Sequence, residues 1–81
     1  MNDNIIKLNN YFKEKFRIDF LDTHSELKSE HLFSRRIGIE PINLLFIYAF
    51  IENELNTNVN EEFIMNEKFT SFDNICTLFN K

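Results

Sequence analysis

The sequence predicts an all-α fold: a bundle of three main helices plus one short helix, with a long first loop. Three observations carry that prediction. Apolar residues recur at intervals of three and four in three separate stretches, which places them on one face of a helix. No stretch sustains the apolar/polar alternation of a half-buried strand. The only glycine and the only proline, Gly38 and Pro41, stand together before the middle stretch, where one can turn the chain and the other can open a helix.

The first helix is expected over residues 3–17. Ile5, Leu8, Phe12 and Phe16 follow one another at steps of three, four and four, while Lys7, Lys13, Glu14 and Lys15 occupy other faces. Asn2 or Asp3 can cap it, since either side chain can accept a hydrogen bond from an unpaired amide of the first turn. From Ile18 to Ile39 the period is lost among Asp19, Asp22, Thr23, Ser25, Ser29 and Ser34. A structureless connection of about twenty residues is unusual in a compact domain. A helical turn or two is therefore expected there, with Phe20, Leu21, Leu27, Leu32 and Phe33 anchoring the segment to the core.

The central helix is expected over residues 41–55, opened by Pro41 with the acidic Glu40 at the positive end of the helix dipole. Projected at about 100° per residue, Leu44, Ile47, Tyr48, Ile51 and Leu55 share one arc, the core face of an amphipathic helix. Ile42, Leu45, Phe46 and Ala49 lie on the other side, with Phe50 near the edge. A helix apolar on two sides is buried on two sides or meets something else. The long 18–39 connection folding over this second face is the first explanation; a partner docking on it is the second.

After the turn formers of residues 56–60, a short helical turn is expected near 60–65. The last helix is expected over 71–80. Thr70-Ser71-Phe72-Asp73 is a relaxed capping box, with Asp73 in place of Glu, and Phe72, Ile75, Cys76 and Phe79 follow at i, i+3, i+4 and i+7.

Residues 1–81 have room for one domain, with a hydrophobic fraction of 43% and ten Phe, enough apolar area to form a core rather than a disordered chain. The lone Cys76 forms no internal disulfide, and the polar start Met1-Asn2-Asp3-Asn4 lacks the basic region of a secretory signal, so a reducing cytoplasm is the expected location. The longest apolar run, 42–51 interrupted only by Asn43, is about half of a bilayer span. Net charge is −4. Residues 1–39 hold seven Lys/Arg against six Asp/Glu, and residues 40–81 hold two against seven. An acidic second half disfavours nucleic acid and favours basic protein surfaces, or simply keeps the chain soluble.

A helix, a long loop, a central helix opening after a glycine, a short third helix and a Thr-started last helix together resemble the acyl carrier protein fold. The resemblance is strongest from Gly38 to Leu55 and from Lys68 to Phe79, where Phe69-Thr70-Ser71-Phe72-Asp73-Asn74-Ile75 looks like the family's final helix. That family attaches a 4'-phosphopantetheine arm to the serine of an Asp-Ser-Leu motif at the start of the central helix. The matching residues here are Glu40-Pro41-Ile42. Proline has no hydroxyl, so position 41 cannot form the phosphodiester. Phe46 also stands where carrier proteins tend to show an acidic recognition residue, and the first connection is longer than the family's. The chain resembles the serine-less carrier-related proteins of bacterial peptide-maturation systems.

Other candidates read more simply. Ser34, the nearest upstream hydroxyl to the central helix, is the fallback attachment site, but it lacks an acidic neighbour and a helix-start context and reads as a loop serine. His24 and His31 are seven apart, without the Cys or carboxylate cluster that would complete a zinc site. Cys76, on the apolar face of the last helix, has no local partner to activate it and reads as a small core residue. Glu61-Glu62 and the pair Glu52 and Glu54 read as solvated charge, because no nucleophile or glycine-rich loop accompanies them. Arg35-Arg36 is too short for a nucleic-acid footprint.

The expected function is therefore a non-catalytic carrier-like binding module. Its expected docking residues are Glu40, Ile42, Leu45, Phe46, Ala49 and Glu52, and its expected partner is a biosynthetic or peptide-modifying enzyme. No cofactor, metal or membrane span is expected. The alternatives are a working carrier with phosphopantetheine on Ser34, and a homodimeric structural subunit that buries the second apolar face against itself.

Overall fold

A computed structural model describes residues 2–65 and 70–79. Helix α1 spans Asp3–Phe16, α2 Pro41–Asn53, α3 Glu61–Met65 and α4 Phe72–Cys76, with 3-10 turns at Ser25–Leu27 and Thr77–Phe79. Among the described residues there is no strand, and the protein is a small all-α bundle. No helix among them is long and apolar enough to cross a membrane.

Asn2 caps α1: its side-chain Oδ1 accepts from the backbone amide of Asn4 at 2.8 Å, and its side-chain Nδ2 donates to the Phe79 carbonyl at 2.9 Å, tying the start of α1 to the last turn of the fold. The helix stops one residue short of the expected 17, because Arg17 turns into the left-handed region with φ 60°. The amides of Arg17 and Ile18 then reach back to the carbonyls of Lys13 and Phe12. Leu8 and Phe12 are fully buried, and Ile5 and Phe16 pack half-buried beside them.

The 18–39 segment is the long connection the sequence predicts, with one 3-10 turn. Phe20, Leu27 and Leu32 are buried and Leu21 is half-buried, as expected of anchors, but Phe33 is exposed and lies against the ring of His31. Its place in the core is taken by Ile18, Ile37 and Ile39. Gly38 adopts φ +73°, so the chain turns there in a conformation that side chains resist. The core is mostly aliphatic, with a cluster of phenylalanines among its Leu and Ile side chains. Phe72 stacks on Phe20 with ring centroids 4.7 Å apart, and the Phe12 ring meets both edge-on.

Helix α2 ends at Asn53 rather than 55: Asn56 takes a positive φ of 50°, and Leu55, past the helix, still reaches the core. The last helix opens on Ser71 rather than Thr70, since the Ser71 hydroxyl accepts from the Asn74 amide at 3.1 Å. It also tightens into a 3-10 turn after Cys76, where the Thr77 hydroxyl donates back to the Asn74 carbonyl. The expected end at residue 80, and Lys68 and Phe69 in the motif before it, lie outside the described residues.

Candidate functional site

Helix α2 crosses the bundle with one face sealed. Ile47 and Ile51 are fully buried, Leu44 and Tyr48 are half-buried against the core, and Phe50 stacks on Tyr11 of α1 with centroids 4.4 Å apart. The opposite face is open. Ile42, Leu45 and Phe46 are 55%, 65% and 59% exposed, and Ala49 is exposed between them. These four residues sit at i, i+3, i+4 and i+7, so their side chains form one continuous stripe about two helical turns long.

The 18–39 connection does not cover this stripe, and its hydrogen bonds show why. Its start is held by α1. The buried Asn9 donates to the Asp19 carboxylate at 2.9 Å and accepts from the Phe20 amide at 2.7 Å. The same carboxylate accepts from the Leu21 amide and faces Lys13 at 3.7 Å. The Asn9 amide is foremost among the contacts that favour the charged form and hold the Asp19 carboxyl below its usual range. His24 closes the turn, its Nδ1 accepting from the Asp19 amide. Further on, the Lys28 carbonyl accepts from Asp73 and the Leu32 amide donates to Thr70, which laces the connection to the start of α4. The loop is thus spent on the α1 and α4 side.

Each sequence-predicted residue has a definite place. Glu40 is the exposed N-cap of α2, and its amide donates to the Asn43 side chain at 3.0 Å. Pro41 is the first helical residue and exposed. Ile42, Leu45, Phe46 and Ala49 converge on the open stripe. Glu52 stands apart: its carboxylate is half-buried and accepts from the Val59 amide, so it holds the chain after α2 instead of pointing freely outward. Asn53 continues the stripe with a polar side chain and ends it.

Nothing at position 41 fits a phosphopantetheine arm, because that residue carries no hydroxyl. The Ser34 hydroxyl lies in the turn before Gly38 and donates to the Glu30 carboxylate, which also receives the guanidinium of Arg36 at 2.7 Å. Arg36 first and Ser34 second keep the Glu30 carboxyl below its usual range. His31 accepts from the Phe33 amide through Nδ1, a turn contact like that of His24. Among the described residues no group of three or more His, Cys, Asp or Glu is placed to hold a metal ion. The Cys76 thiol is buried, and desolvation, helped by Asp73, pushes its pKa up to about 12, so it stays protonated at neutral pH and is no nucleophile.

Two features were missed from the sequence: the structural role of Asn9 and the inward turn of Glu52. Asn9 does carry a signal, since it sits beside Leu8 on the buried side of the α1 wheel. Comparison of the chain with protein-family models, curated proteins and solved structures found no match to any of the three.

Proposed function

We propose that this protein is a carrier-like binding module without a covalent arm, which docks through the outer face of α2 on a cytoplasmic enzyme that modifies a peptide or acyl substrate. The observation that carries the reading is the stripe of Ile42, Leu45, Phe46 and Ala49, left open to solvent on the helix that Pro41 begins. Exposed apolar patches of this kind mark interaction surfaces more often than chance. The element order, from α1 through a long connection to α2, a short α3 and α4, supports the resemblance to acyl carrier proteins. In that family the helix in this position meets partner enzymes. Residues 40–65 carry five Glu and no Lys or Arg, which suits a partner with a basic rim.

Two measurements test it together. Protein incubated with coenzyme A and a broad-specificity phosphopantetheinyl transferase is expected to gain no mass; gain of one phosphopantetheinyl unit on Ser34 would establish the working-carrier reading instead. A photo-crosslinking residue in place of Leu45, introduced in the source cells, is expected to capture a peptide- or acyl-modifying enzyme identifiable by mass spectrometry. Capture should disappear when Phe46→Glu is added. Capture of nothing, or of the same protein regardless of Phe46, overturns the reading.

A further inference from the structure

Between α1 and the end of α2 runs an open groove of about 330 Å³, at the lower end of the range for small-molecule sites. None of Ile42, Leu45, Phe46 or Ala49 lines it. The half-buried rings of Tyr11 and Phe50, stacked with centroids 4.4 Å apart, form its floor with the buried Leu55, and the exposed Lys7, Asn10, Glu14 and Glu54 stand around it. Helical spacing builds the α1 wall: Lys7, Asn10, Tyr11 and Glu14 recur at i, i+3, i+4 and i+7 and so share one face. An ammonium and a carboxylate therefore stand about 10 Å apart along the helix axis, with an aromatic ring between them. Glu54, four residues after Phe50, adds a second carboxylate from the opposite wall.

The fold does not use these charges. Among the described residues the ion pairs are Lys13 with Asp19 and Arg36 with Glu30, and the side chains of Lys7, Glu14 and Glu54 have neither an ion-pair nor a hydrogen-bond partner. The Tyr11 hydroxyl has none either, and burial pushes its phenol above the ordinary value, so it keeps its proton as a donor. One cation and two anions around an aromatic floor match a ligand with one negative and two positive charges on an apolar stem. Simple anions meet a net negative rim, and a diamine leaves Lys7 unmatched. A guanidinium is weakly hydrated and stacks on aromatic faces, which favours it over an ammonium here.

We propose that this groove binds a free basic amino acid, arginine in preference to lysine, with Lys7 holding its α-carboxylate, Glu54 its α-ammonium and Glu14 its side-chain cation. The stem of the ligand crosses Tyr11 and Phe50. All three charged contacts are reached by solvent, so binding is weak, reversible and sensitive to salt.

The test is a titration of the isotope-labelled full chain. Arginine is expected to shift the amide resonances of residues 7–14 and 50–55 saturably at millimolar concentration, with affinity falling as salt rises. Citrulline lacks the side-chain charge, agmatine the carboxylate and N-acetylarginine the α-ammonium, and each should bind at least about threefold more weakly. Glu14→Gln should abolish the preference for arginine over citrulline, and Lys7→Gln the preference over agmatine. Both positions are exposed, so the circular dichroism of each variant should match wild type. Absence of a saturable shift, shifts confined to other elements, or survival of these preferences in the variants overturns the site. N-acetylarginine binding as tightly as arginine overturns the free amino acid in favour of a peptide ending in arginine.

Discussion

The inner side of α2, built on Ile47 and Ile51, is closed to solvent, whereas the outer side, built on Ile42, Leu45 and Phe46, is more than half exposed, although the two carry the same kinds of side chain. Hydrophobicity alone does not separate them. What differs is where the long connection goes. Its polar contacts to Asn9, Thr70 and Asp73 commit it to α1 and α4, and the apolar residues between those contacts, Phe20, Leu27 and Leu32, follow into the core. Backbone donors and acceptors must be satisfied wherever the chain is buried, so a loop can act as a lid only where it finds such partners. The outer face of α2 offers none, since its helix satisfies its own backbone and its side chains there are apolar. A face of that kind gains from being covered, at roughly 25 cal/mol per Å² of apolar area, and the isolated chain leaves that gain unused.

Breaking the closed side should have the largest effect. Phe72→Ala empties the centre of the Phe12, Phe20 and Phe72 cluster and is expected to destabilise the fold by about 3–5 kcal/mol, since it removes a buried ring and leaves a cavity between two others. Urea denaturation followed by circular dichroism measures it. Asn9→Leu should cost less, about 1–3 kcal/mol, because the Phe20 amide is left buried without its acceptor. Its signature is faster hydrogen exchange at Phe20 in addition to a lower midpoint. Acid should act on the same clasps. Asp19 and Glu30 both have carboxyl groups held below their ordinary values, so their contribution is present above the unfolded values of 3.8 and 4.5 and is lost as pH falls through and below them. A stability profile that declines below about pH 4.5 in the wild type, and declines less in Asn9→Leu, is the expected result.

Much of this fold was legible because periodicity reports the face a helix presents to its core. The starts of α1 and α2, the buried positions Leu8, Phe12, Ile47 and Ile51, the short α3 and the turn at Gly38 all follow from spacing and from the backbone preferences of Asn, Gly and Pro. The errors fall where a hydrogen bond, invisible in a hydropathy pattern, decides the outcome. Ser71 outcompetes Thr70 as the cap, Glu52 turns back to Val59 instead of facing outward, and Asn9 is buried because the loop supplies both its partners. Phe33 was expected inside on hydrophobicity, yet the tight turn around Ser34 and Gly38 gives the interior positions to Leu32 and Ile37. The candidate site was legible as a second apolar stripe, but whether the connection covered it depended on those same polar contacts.

Phe46→Glu sharpens the comparison most, because its expected effect on stability is the smallest of all. Phe46 and Phe72 are the same residue type on helices of one small bundle, and only their surroundings differ. A substitution at an exposed position away from caps and buried contacts usually changes stability by no more than about 0.5 kcal/mol. The new carboxylate at position 46 remains in water and needs no desolvation in the isolated domain. It does place a negative charge four residues after Ile42 and three before Ala49, neither of which it can repel, and Glu40, on the far side of the wheel from Phe46, is a weak source of repulsion through solvent. The thermal midpoint of Phe46→Glu should therefore fall within a few degrees of wild type, given roughly 4–8 °C per kcal/mol for a domain of this size. Its solubility should rise as the apolar stripe is interrupted. An Ile51→Ala protein measured alongside should lose about 2–5 kcal/mol. If Phe46→Glu unfolds the domain to the same degree as Ile51→Ala, the outer face is interior in solution and the distinction between the two sides of α2 is gone.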